Sequence, residues 1–181
     1  SPAADSRLKG SFREARDGWA FVHLQGSPRE VGFQHGWHLP AEIDDVLKTM
    51  AFYFPQSVKR DWAFFREAAE RMFWPKLDPD TREEIEGIAA GLRARRPDLS
   101  YDRIDIAALN GWIELAWYYI PWLDEKAKPG SGDNKAPAYC SAFVAVGGYT
   151  KDRGVVMAHN NWTEYILGQR WNVVLDIVPA R

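Results

Sequence analysis

The chain has 181 residues, 46% hydrophobic and 27% charged, which is ordinary for a globular domain that buries a sizeable core. A net charge of -2 offers no basic footprint for nucleic acid or for an anionic membrane surface, and no apolar run approaches the ~20 residues of a membrane-spanning helix. One cysteine excludes an intrachain disulfide, while nine tryptophans favour large apolar contact surfaces inside or around a pocket.

Residues 1–18 are polar and weakly patterned, and no segment there has the form of a signal peptide. Ser1-Pro2-Ala3-Ala4-Asp5 fits either a mature N-terminus or a cut end. Trp19–Leu24 predicts a strand, ended by the turn Gln25-Gly26-Ser27-Pro28. Ser27 then caps a helix, with Pro28 at its first position and Glu30 placed as in a capping box. Helical spacing runs through Val31, Phe33 and His35 until Pro40 breaks or kinks it. The next helix is expected over Ala41–Phe54, with Ile43, Val46, Leu47 and Met50 on one face.

Pro55-Gln56-Ser57 punctuates, and Val58–Trp74 is helical and rich in aromatics. Asp78-Pro79 opens a further helix whose apolar stripe is Ile85, Ile88, Ala89 and Leu92, its charged residues forming a solvated face. Ser100 starts the last helical region, Tyr101 to about Lys126, interrupted near Asn110-Gly111. Its aromatic run Trp112–Trp122 reads either as core or as the lining of a lipid or acyl pocket.

Lys128–Pro137 is the most loop-like segment. Beyond it the period becomes that of strands, over Cys140–Gly147, Val155–Ala158 and Trp171–Val178. The chain stops just after the last of these, so residues beyond Arg181 are expected to complete the domain.

The chemistry gathers in Tyr139–Trp162. Cys140 opens a strand after a flexible loop, small Ser141 and Ala142 follow it, and the next strand delivers His159, Asn160 and Asn161. Two strands joined by a turn bring that cluster back beside the thiol. A lone cysteine is often a small core hydrophobe. The placement here suits an N-terminal nucleophile, exposed by cleavage of the Tyr139–Cys140 bond. The freed α-amine has an ordinary pKa of about 7.7–8.0 and can take the thiol proton near neutral pH. A Cys140–His159 pair acting without cleavage is a second enzymatic reading, and an aromatic-rich lipid- or carbohydrate-binding module a third. His35-x-x-His38 has helical spacing but no Glu or Cys partner, so it is assigned to helix structure and no metal or cofactor is expected.

The segment C-S-A-F-V-A-V-G-G-Y-T-K-D-R-G-V-V-M-A-H-N-N-W-T resembles the start of the processed chain in phospholipase B-like proteins. More distantly it is similar to penicillin acyltransferase-type peptidases, acid ceramidase and bile-salt hydrolases. R-E-V-G-F-Q-H-G-W-H-L, Arg29 to Leu39, is similar to the G-x-x-H-G helix of their propeptide-derived segment. The resemblance implies an α+β fold, the four-layer αββα sandwich of N-terminal-nucleophile hydrolases. It implies a helical segment over residues 1–139 and a nucleophile-bearing segment from 140 onward, with autocatalytic maturation. It further implies secretion, or a periplasmic or lysosome-like location, and cleavage of an acyl amide or lipid ester in a small acyl or lipid substrate.

By position, Cys140 matches the nucleophile. His159-Asn160-Asn161-Trp162 stands where the distant relatives carry R-N-x-D, whose Arg and Asp orient the cysteine and its amine. That departure argues against bile-salt hydrolase or ceramidase activity. His159 is then a hydrogen-bond partner of the thiolate or leaving group, Asn160 and Asn161 candidate oxyanion donors, and Trp162 a pocket wall. A further oxyanion asparagine is expected in the C-terminal remainder of the same precursor.

Overall fold

The computed structural model describes residues 5–128, 140–161, 164–168 and 171–180, as a mixed α/β structure with small sheets. Strand β1, Phe12–Arg16, and strand β2, Trp19–Gly26, form an antiparallel hairpin. Asp17 and Gly18 turn it with φ of 49° and 84°. Positive φ at both central positions is the geometry of the tight hairpin turns that Asp-Gly favours. The run of β1 is polar and weakly patterned in sequence; pairing with β2 makes it a strand.

Helix α1, Pro28–His38, begins with the predicted capping box: Ser27 N donates to Glu30 Oε2 at 2.9 Å, and Glu30 N donates to Ser27 Oγ at 3.4 Å. Helix α2, Pro40–Ser57, restarts the chain at the predicted break. It runs through Pro55, where punctuation was expected, and ends two residues later, before Lys59 takes a left-handed φ of 58°. Helix α3, Trp62–Met72, is capped by Asp61, whose Oδ1 accepts from Phe64 N at 3.0 Å. Helix α4, Pro79–Arg95, is capped by Asp78. Helix α5, Arg103–Asn110, is capped by Asp102 rather than started by Ser100.

Gly111 interrupts the helical region where expected. Beyond it a short α6, Trp112–Glu114, passes through a π-helical turn, Leu115–Tyr119, into α7, Ile120–Ala127. Pro121 has no N–H to give the ladder where the widened turn closes. Strands β3, Ser141–Ala145, and β4, Val156–Asn160, form a second, two-stranded sheet. A one-turn helix α8, Tyr165–Gly168, leads to β5, Val173–Pro179. β5 pairs in parallel with β2 from Ala20↔Val173 to Gly26↔Pro179, so the helices lie between two neighbouring strands of one sheet.

Two apolar clusters hold this together. One is built on Phe54, Phe65, Leu115 and Ile120, with the rings of Phe54 and Phe65 stacked at 4.1 Å. Trp112 and Trp117 pack against it, so this half of the aromatic run is core, while Tyr118 and Trp122 are exposed. The other joins Val22 and Leu24 of β2 to Val31, Leu47, Ile85, Ile88 and Leu92.

The join between α1 and α4 is closer than side chains allow. A Cβ on Gly32, Gly36, Gly87 or Gly91 would run into backbone atoms of the opposing helix. The glycines of the predicted G-x-x-H-G stretch are thus half of a four-glycine contact. Under the clusters, Asp105 is buried against Arg66 and accepts from Trp62 Nε1 at 2.9 Å. Trp171 Nε1 donates to Asp45 at 3.0 Å and Leu167 enters the first cluster, tying the segment ahead of β5 to the helices.

Candidate functional site

The thiol site is built on the β3–β4 hairpin. Its register sets Ser141 opposite Asn160, Ala142 opposite His159 and Phe143 opposite Ala158. Paired residues share a face of a sheet and faces alternate along each strand. Continued by one step, the register sets Cys140 opposite Asn161. Cys140 Sγ donates to Asn161 Oδ1 at 3.5 Å.

The alternation divides the predicted cluster. His159 and Asn161 lie on the face that Cys140 shares with Ala142. Asn160 lies on the other face, where its Nδ2 donates to Ser141 Oγ at 3.4 Å. Strand β4 also runs two residues further than predicted, so His159 and Asn160 sit within it rather than beyond its end. Tyr139 and Trp162, the predicted cleavage partner and pocket wall, lie outside the described residues.

Cys140 is exposed, and the alternative of a thiol buried in the core is therefore corrected. It stands at the head of the strand, one residue before the ladder begins. A thiol is a weak donor and a thiolate an acceptor. The Asn161 amide serves both states: Oδ1 accepts from the thiol, and half a turn about its last torsion presents Nδ2 to the thiolate. Ser141, Ala142, Phe143, Ala158, His159 and Asn160 line a hollow of about 270 Å³ beside them.

The hairpin has apolar side chains in the open on both faces. Phe143 is 57% exposed on one, and Val144 and Met157 are 60% and 73% exposed on the other. A two-stranded hairpin is marginal by itself in water, and side chains of this size are normally covered. The other predicted histidine pair separates. His38 Nε2 hydrogen-bonds Ser11 Oγ at 2.9 Å, whereas His35 lines a cavity among the helices. Among the described residues no three His, Cys, Asp or Glu side chains are grouped to hold a metal ion. No described helix is long and apolar enough to cross a membrane.

A curated protein of Archaeoglobus fulgidus, itself uncharacterized, is similar to this chain, at 26% identity over 166 residues. The match takes in 84% of this chain and 26% of the relative, so the chain spans about a quarter of that protein's length. No family model and no solved structure matches the chain.

Proposed function

We propose that this chain carries the nucleophile of a cysteine N-terminal-nucleophile hydrolase of the phospholipase B-like and penicillin acyltransferase-type kind. The observation that carries the reading is Cys140 exposed at the head of a strand, its sulfur 3.5 Å from an amide on the return strand. In the proposed reaction, cleavage of Tyr139–Cys140 frees the α-amine of Cys140, which accepts the thiol proton. The thiolate attacks the carbonyl carbon of an acyl amide, the C–N bond breaks as the amine returns the proton to the leaving nitrogen, and a thioester remains. Water, or an acceptor amine, then releases the acyl group from sulfur.

Asn161, on the nucleophile's face, is the amide assigned to the thiolate or the developing oxyanion. One such donor is worth about 2.7–4 kcal/mol in measured cases. His159 shares that face and suits the leaving group; Asn160, hydrogen-bonded to Ser141, suits holding the two strands in register. The amide is preferred as substrate and a lipid ester is the alternative. The exposed apolar hairpin supports a finer fold, the αββα sandwich, in which further strands from the remainder of the precursor cover β3 and β4. A secreted, periplasmic or lysosome-like location goes with this reading.

N-terminal sequencing and intact mass of the purified protein test it. Wild-type protein should yield a chain beginning at Cys140, and Cys140→Ala should remain a single uncut chain. An intact Tyr139–Cys140 bond with full hydrolytic activity would overturn autocatalysis and leave Cys140 with His159, which share a face, as an uncleaved pair.

A further inference from the structure

Away from the thiol, α1, α3, α4, α5 and β5 surround a cavity of about 790 Å³ that shares no residue with the hollow on the hairpin. Cavities that hold small molecules measure roughly 300–1,000 Å³ and combine apolar walls with a few placed polar groups. The walls here are Met72, Phe73, Leu77, Ile85, Ile88 and Leu175. The placed polar group is His35, which lines the cavity and whose ring, among the described residues, makes no hydrogen bond. We propose that this cavity binds an uncharged amphiphile, a molecule with an apolar body and one hydroxyl- or amide-type head hydrogen-bonded to His35.

His35 is half-buried at the cavity wall, so its ring can exchange water for a ligand's hydroxyl or amide without giving up a protein partner. Burial lowers the His35 pKa to about 4, so at neutral pH the imidazole is uncharged and offers one donor and one acceptor. That pair matches a hydroxyl or amide, which also donates and accepts. Asn110 adds a second acceptor, since its Nδ2 donates to Ile106 O at 2.8 Å and its Oδ1 has no partner among the described residues.

Charge at the lining selects against a carboxylate head. Glu84 and Glu114 stand there against Lys76 alone, and burial raises the pKa of Glu84, as expected of a carboxyl with no cation to answer it. An anionic head therefore meets more negative than positive charge, and an uncharged one meets no such penalty.

The test titrates the purified protein with octan-1-ol and, in parallel, with sodium octanoate, followed by amide correlation spectra. Octan-1-ol should shift the Gly111 backbone and Asn110 side-chain signals with a one-site curve, and octanoate should bind at least about fivefold more weakly. His35→Phe should weaken octan-1-ol by about fivefold, the worth of one ordinary hydrogen bond. Met72→Trp, from a partly buried position on the wall, should abolish binding by filling the space. Shifts that never saturate would overturn the proposal, as they would if another segment covers the mouth. So would equal affinity for octanoate, or a folded His35→Phe protein that binds as wild type does. Should both variants fail to fold, saturation and the alcohol-to-carboxylate ratio in the wild-type protein still decide.

Discussion

Replacing Gly36 with alanine tests the helix contact on which the fold turns. Alanine ordinarily gains about 1 kcal/mol over glycine in a helix interior. Here the new methyl would lie 2.7 Å from the Leu92 amide nitrogen and 2.9 Å from the Ile88 carbonyl carbon, and nearer still to the Ile88 oxygen. Ordinary contact is about 3.5–4.0 Å, so α1 and α4 must part by about an ångström or more. Backbone atoms cannot swing aside as a side chain does. Gaps of that size forfeit a quarter to a half of each contact along the seam, where Val31, Ile85, Ile88 and Leu92 are buried. Overpacking of this kind costs about 1–3 kcal/mol, and a collision with backbone belongs at its upper end. Against the helical gain, the net loss is about 2 kcal/mol, a fall in melting temperature of about 4–8 °C for a chain of this size. Urea unfolding followed by circular dichroism measures it. Gly148→Ala serves as the control, since a Cβ there meets nothing within 4 Å and should change stability by less than about 0.5 kcal/mol. A Gly36→Ala protein as stable as wild type would refute the close contact.

Burial holds the folded pKa of His35 at about 4, below its usual value of 6.5. The unfolded chain therefore takes up a proton first as pH falls. The stability due to the neutral imidazole is full above pH 6.5 and lost progressively down to pH 4, by up to about 3 kcal/mol. Urea midpoints across that window should fall in the wild type and fall less in His35→Phe; His38, lowered by burial and by Arg13 and Arg95, contributes in the same direction in both. Asp105→Ala should cost about 1–3 kcal/mol, because it leaves Trp62 Nε1 without its acceptor, takes one of two carboxylate partners from Arg66 and removes half of the α5 capping box; denaturant titration reads it directly. Arg66, hydrogen-bonded to Asp102, holds the Asp102 carboxyl below its usual range, so the stability due to Asp102 is present above pH 4 and fades on further acidification. Arg66→Met should flatten the acid limb. Ser27→Ala should lower stability by about 1 kcal/mol and leave the chain otherwise intact, as thermal unfolding will record.

Local signals carried much of the architecture. Ser27, Glu30, Asp78 and Pro79 mark helix starts because capping is a contact between residues three apart, and the structure bears these out. The Asp17-Gly18 turn was equally local, yet the charged residues around it masked a strand that only β2 stabilises. Pro55 misled in the opposite direction: a proline so near the end of α2 removes one ladder bond without stopping the helix.

At the thiol, local pattern was enough to place Cys140 at the head of a strand and to return His159, Asn160 and Asn161 on the next. It could not divide those three, because a shift of one residue in register exchanges the faces of every side chain. The observed register puts His159 and Asn161 with the sulfur and turns Asn160 away. The parallel pairing of β2 with β5, and the cavity that leaves the His35 ring without a protein partner among the described residues, depend on elements far apart in the chain. Spacing along one helix determined that His35 and His38 lie a turn apart; only the tertiary structure gave His38 to Ser11 and His35 to a cavity, since what a side chain faces is decided by the elements packed against it.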